Sequence, residues 1–282
     1  MAKSMVNTFV TLLALALLAA AAPARAQVDE AAAERLMHRS GLWEQLGATA
    51  LGARAGIEAA ARHRLTALND EQLRRLLRAT DAAFAADTLR RAVRRALAER
   101  VPAAHLPALQ GWFDSDLGQR LTALEVAAVR PDRDSERALR QGITRLNAAS
   151  EMRRRLIEQL VEASRAAEST TGMTINVAVA VQRGMASVKP DEPVAPVATL
   201  RAAFDAQRAQ MLEAYRGMSQ ALFAEIYQSV SDAELARYLE FLRGAPGKQF
   251  LEATMQAMDR ALGEAAERLG VRAPGAAAGP TT

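Results

Sequence analysis

Apolar residues return every three or four positions through most of this chain, and that spacing restricts it to amphipathic helices that must cover one another. Met211, Tyr215, Met218, Leu222 and Ile226 fall on one stripe, and Leu251, Met255, Met258, Leu262 and Leu269 on another. Ser231 with Glu234 three residues on predicts a capping box ahead of Leu235, Tyr238, Leu239 and Leu242. Asn69 with Gln72 predicts a second ahead of Leu73, Leu76 and Leu77. Gly41, Pro102, Pro131 and the stretch Gly244 to Pro246 mark helix ends. Only Thr174 to Val181, where Val177, Val179 and Val181 alternate, could pass for a strand. No other stretch offers to pair with it, so a helix is expected there too and the fold class is all-α.

The first 26 residues stand apart. Lys3 is followed by an apolar run from Phe9 to Ala22, then by Pro23 and the small-residue site Ala24-Arg25-Ala26, the three-part order of a signal peptide cleaved after Ala26. The rival is a retained membrane anchor, which needs roughly 20 apolar residues to cross a bilayer; this run is shorter and Pro23 ends it. No second run of spanning length follows, no cysteine waits at the processing site to take a lipid, and no twin-arginine pair lies near the start. The expectation is a mature chain from Gln27 without a transmembrane segment, sent to the periplasm by the general route in preference to full secretion.

With no cysteine anywhere, disulfide frameworks, thiol catalysis and thiolate metal sites are excluded. Half the residues are apolar but only 4% are aromatic, so the core must be built from Ala, Leu, Val and Met. The isoelectric point near 9.9 suggests nucleic acid, yet removing Lys3 and Arg25 leaves 34 basic against 32 acidic residues. Lys3, Lys189 and Lys248 are the only lysines, so the high value records a choice of Arg over Lys, and no nucleic-acid partner is expected.

The chain resembles itself at an offset of 129 residues. Val101 to Leu106 falls on Val230 to Leu235, Leu109 on Tyr238, Trp112-Phe113 on Phe241-Leu242, Gly118 on Gly247 and Leu121 on Phe250. Upstream, Leu89, Val93 and Leu97 fall on Met218, Leu222 and Ile226, and Gly41-Leu42 resembles Gly172-Met173 at nearly the same distance. Identities are few; the weight rests on the shared order of helix start, aromatic-apolar pair, short break, glycine and bulky apolar residue. The organisation expected is a signal peptide over 1–26, two similar multi-helix domains over 27–148 and 149–272, and a disordered tail over 273–282 that lacks large apolar residues. The polar stretch from Ser187 to Pro196 reads as a loop inside the second domain.

The repeated segments, Trp112-Phe-Asp-Ser-Asp-Leu-Gly-Gln-Arg-Leu121 and Phe241-Leu-Arg-Gly-Ala-Pro-Gly-Lys-Gln-Phe250, resemble the signature of exported bacterial proteins carrying domain of unknown function 2059. In that signature an aromatic pair is followed by Ser-Pro, one residue, Gly and a basic residue. The resemblance implies an all-helical envelope protein and carries no assigned activity. Both copies depart from it: Ser115 is kept while Asp116 replaces the proline, and the second copy has Gly244-Ala245 with its proline shifted to Pro246. A structural role suits the motif. Ser115 can accept a hydrogen bond from the free N–H groups of the next helix, and Gly118 and Gly247 suggest a close neighbour.

Sites of chemistry are harder to find. His38 lies one turn after Glu34, and with His63 and His105 completes the histidines; two groups on a turn make a solvated pair rather than a metal site, and neither metal nor cofactor is expected. Acid pairs such as Asp114 with Asp116 and Glu264 with Glu267 read as helix starts and solvated faces. Arg90, Arg91, Arg94 and Arg95 share one helical face, which is either solvated or a contact for an anionic surface, and Arg153 to Arg155 read as an exposed helix start. Three functional readings stand. The first is a binding or scaffold protein of the cell envelope with a protein or lipid partner. The second is a periplasmic hydrolase using carboxylates near Asp114 or in the Lys189 to Glu192 loop, and the third a peripheral binder of anionic envelope surfaces through the Arg-rich helix.

Overall fold

In the computed structural model, residues 26–62, 69–130, 132–188 and 196–270 are described. Most of the segment read as a signal peptide, His63, Pro131, residues 189–195 of the stretch expected to form a loop and the whole segment 273–282 expected to be a disordered tail lie outside them. The described residues are helical almost throughout, and no helix among them is long and apolar enough to cross a membrane.

Local rules place most helix ends. Asp29 caps α1 (Glu30–Arg39) by accepting from Ala32 N at 2.6 Å, and Gly41, at φ +72°, makes the left-handed turn into α2 (Leu42–Arg62). The Asn69–Gln72 capping box opens α3 (Asp70–Ala83). After α4 (Ala86–Arg100) the chain extends through Val101 and Pro102, where Val28 N donates to Val101 O and Ala103 N to Ala26 O. A 3-10 turn (Ala103–His105) leads into α5 (Leu106–Phe113), followed by α6 (Asp116–Ala128), α7 (Ser135–Ala148) and α8 (Glu151–Ser164). Then come α9 (Ala166–Val188), α10 (Val197–Asp205), α11 (Arg208–Ile226), α12 (Asp232–Arg243) behind its Ser231–Glu234 capping box, and α13 (Ala245–Gly270). The valine alternation over 174–181 lies inside α9.

The suggested match of Gly41 with Gly172 shifts. The left-handed turn between the first two helices of the second half falls at Arg165, at φ +52°, and Gly172 sits within α9 facing the Asp259 carboxylate.

The expected boundary near 148 coincides with the turn between α7 and α8, yet both cores cross it. One gathers Leu36, Met37, Leu46, Leu76, Leu89, Val93, Leu97 and Leu109 from the first half together with Ala257, Ala261, Leu262, Ala265 and Leu269 of α13. The other joins Leu117 and Leu121 of α6 to Leu156 and Leu160 of α8 and to Tyr227, Leu235, Leu239 and Leu242. The terminal helices account for this interlocking: α7 packs on α11, and α13 packs on α4 as well as on α9. Each half therefore lends its last helix to the fourth helix of the other.

Small residues allow the close approach. Ala92 and Ala96 of α4 meet Ala257 and Ala261 of α13. Gly142 of α7 lies so close to α11 that a Cβ there would stand 2.0 Å from Ala221 O. Charged groups tie the same seams: buried Glu225 accepts from Arg145 Nε at 2.7 Å. Arg153, expected on a solvated face, instead donates to the Tyr227 and Val230 carbonyls at 2.6 and 2.7 Å and to Asp232 at 2.9 Å, which fixes the turn after α11.

Gly142→Ala must force α7 and α11 apart, and overpacking of this kind costs about 1–3 kcal/mol. Because the halves share their cores, a thermal melt followed by circular dichroism should show one transition moved to lower temperature. Two separable domains would leave a second step unmoved.

Candidate functional site

Each motif copy is a tight corner between two helices. In the first, Ser115 caps α6: its Oγ accepts from Gly118 N at 3.1 Å and donates to Trp112 O at 2.6 Å. In the second, Gly244 N donates to the Glu240 carbonyl at 2.9 Å, and Pro246 occupies the first turn of α13, where its missing N–H would have had no partner. Both corners close on a glycine. A Cβ on Gly118 would lie 2.1 Å from Trp112 O, and a Cβ on Gly247 would lie 2.1 Å from Phe241 O, so hydrogen is the only substituent that fits.

These corners press the aromatic pairs together. The Trp112 indole lies flat on the Phe241 ring at 4.4 Å and 6°, and runs parallel to Tyr238 at 5.7 Å. Phe113 meets Phe241 and Phe250 edge-on at 5.8 and 5.5 Å. Around this stack is a cavity of about 140 Å³. Its lining includes both members of every pair Trp112 and Phe241, Phe113 and Leu242, Gly118 and Gly247, Leu121 and Phe250. At the same offset of 129 it also includes Thr122 with Leu251 and Glu125 with Thr254. The turn at Ser40 completes the rim together with Gln45 and lies against α6, where a Cβ on Gly41 would meet the Val126 side chain at 2.6 Å.

Glu125 gives the cavity its charge. Its Oε1 accepts from the Tyr227 hydroxyl at 2.7 Å and from the Tyr238 hydroxyl at 2.9 Å, while no hydrogen bond from the described residues reaches Oε2 and no basic side chain among them pairs with it. Burial pushes the carboxyl above its ordinary value of 4.5, and the two phenol hydrogen bonds offset part of that rise. Burial and the neighbouring carboxylate push both phenols well above 10, so they remain donors. Opposite in sequence register, Thr254 Oγ1 is buried and has no hydrogen-bond partner among the described residues.

Of the residues singled out from sequence, Trp112, Phe113, Gly118, Phe241, Leu242 and Gly247 line this cavity, while Ser115 and Pro246 shape the corners behind it. The arginine face lies elsewhere and is partly spoken for. The Arg90 guanidinium covers the Trp43 ring at 4.4 Å, donates to Trp43 O and pairs with Asp87. Arg94 pairs with Glu34 at 2.7 Å and Glu30 at 3.1 Å, Arg91 bonds Thr88, and Arg95 lies by Glu99 and Glu264. His38 stacks on the Trp43 ring at 4.2 Å. Asp114 pairs with Arg39 at 2.6 Å, Asp116 opens α6, and Glu264 pairs with Arg260. Among the described residues no group of three His, Asp or Glu is placed to hold a metal ion.

Glu125, Tyr227 and Thr254 do not stand out in the sequence, and Tyr238 does so only as a core-facing residue and the repeat partner of Leu109. One signal for Glu125 was present: it continues the four-residue spacing of Leu117 and Leu121, so a carboxylate stands where the buried stripe calls for an apolar residue.

A raised carboxyl means that the folded chain holds this proton more tightly than the unfolded one. Its penalty is absent below about pH 4.5 and grows as the pH rises through the folded value. Glu125→Gln keeps an acceptor for both phenols and removes the charge. Thermal melts from pH 4 to pH 8 should therefore show the variant more stable than the parent at neutral pH, with the gain vanishing as the pH falls toward 4.5.

Comparisons with models of known protein families, with curated proteins and with solved structures return no match for this chain.

Proposed function

We propose that this chain is an exported helical binding protein of the bacterial cell envelope, a doubled unit whose ligand occupies the cavity between its two motif corners. One observation carries the reading: six pairs of positions related by the 129-residue offset line a single aromatic-walled cavity. The volume of about 140 Å³ compares with a cavity of about 150 Å³ that holds benzene in a helical protein, so the ligand, or the part of it that is read, is about the size of one ring.

The signal-peptide pattern over 1–26 supports the exported part of the proposal, and the two corner sequences support kinship with proteins carrying domain of unknown function 2059. Binding is favoured over hydrolysis because Glu125, the carboxylate at the cavity, already accepts from the Tyr227 and Tyr238 hydroxyls, and the other polar groups among the described lining residues are hydroxyls and the Gln45 amide. It is favoured over an arginine-mediated surface contact because Arg90 and Arg94 are engaged within the protein.

Native mass spectrometry of the chain from Gln27, purified gently from the periplasm of its own cells, tests the proposal. The expected result is a co-purifying small molecule that a Trp112→Ala variant loses. A bare chain, together with no shift in melting temperature across a library of one-ring compounds, would overturn it.

A further inference from the structure

We propose that the cavity ligand is a small primary amine, its ammonium held between Glu125 Oε2 and Thr254 Oγ1 and its apolar body seated against the ring wall of Trp112, Phe241 and Phe113. The inference rests on the binding reading above and adds the chemical class.

Three observations converge. First, Glu125 is a half-buried carboxylate with two neutral donors on one oxygen and no hydrogen bond from the described residues on the other. A carboxylate drawn partly out of water is stabilised by a cation or further donors, and no basic side chain among the described residues supplies one. Second, Thr254 Oγ1 lines the same cavity and is buried without a partner among the described residues, a rarity that calls for a group to fill it. Glu125 and Thr254 stand at positions related by the 129-residue offset, so they belong to matching places on the two corners. An ammonium is a donor to both and carries the charge that Glu125 lacks. Third, much of the remaining wall is Trp112, Phe113, Tyr238, Phe241 and Phe250 with aliphatic neighbours, beside Ser40, Gln45 and Thr122, and the rings favour an apolar body and attract cations to their faces. Tyr227 and Tyr238 act as positioning residues: both hydroxyls bind Oε1, which turns Oε2 to the ligand.

The cavity volume keeps the body small, on the order of one ring or a short alkyl chain. An anion would meet the Glu125 charge directly, and a neutral isostere would leave that carboxylate without a counter-charge.

Isothermal titration calorimetry on the full mature chain tests this with three probes of one shape: benzylammonium, benzyl alcohol and benzoate. Benzylammonium should bind about tenfold or more tightly than benzyl alcohol, with benzoate silent. Glu125→Gln should bring benzylammonium down to the affinity of benzyl alcohol, and a melting temperature no lower than the parent's at neutral pH shows the variant to be folded. Thr254→Val should weaken benzylammonium severalfold. Equal affinity for the amine and the alcohol, or tight amine binding that survives Glu125→Gln, overturns the amine inference and leaves the binding reading in place. Binding of none of the three overturns the amine inference as well and counts against the binding reading.

Discussion

The flat contact between Trp112 and Phe241 joins one helical corner to the other, and much of the molecule is arranged to allow it. Stacked rings at 4.4 Å require the helices that carry them to turn sharply just behind the rings, and each turn is possible only because a glycine lets the next helix settle on the carbonyl of the aromatic residue. Ser115 secures the first turn by a side-chain bond to the Trp112 carbonyl. The second uses the fixed backbone of Pro246 instead. The cavity follows from the same arrangement. Two corners meeting ring to ring cannot also fill the space alongside the rings, and the side chains that border it, Glu125, Thr254 and Tyr238, are too short or too committed to their own partners to close it.

Elsewhere the protein holds together by closeness rather than bulk. Alanine and glycine occupy the seams between α4 and α13 and between α7 and α11, so backbones approach and many weak contacts replace a few large ones. Such seams are sensitive to any added atom. Longer interactions cross them at chosen points, Arg145 to Glu225 and Arg100 to Gln256. A further pair ties α6 to α12: Arg120 to Glu234, whose carboxyl is held down to about 2 chiefly by the backbone N–H of Ser231 and by Arg120.

What could be seen in the sequence was what local rules govern. Helices, the capping boxes at Asn69 and Ser231 and the breaks at Gly41 and Gly244 follow from spacing and from a few residues with strong backbone preferences. The offset also drew attention to Trp112 and Phe241, because a rare residue type in a poorly aromatic chain stands out. The rest depended on which helix lies beside which. Nothing in the segment from Arg90 to Arg95 reveals that Trp43, Glu30 and Glu34 will claim two of its arginines, and Arg153 gives no sign that it will bind the Tyr227 and Val230 carbonyls. Glu125 was overlooked because an isolated acid in a helix is ordinary until its neighbours are known to be two tyrosines from the other half of the chain.

The exchange of terminal helices also sets an order of events. Synthesis delivers α4 long before α13, so the face of α4 around Ala92 and Ala96 has no cover until the last helix of the body has been made. In the same way α7 must wait for α11. Pairings this distant in sequence are slow to form, and neither half can reach its final packing while the other is missing. The chain is thus committed to folding late and as a whole, with its alanine-lined helices exposed to other chains in the interval.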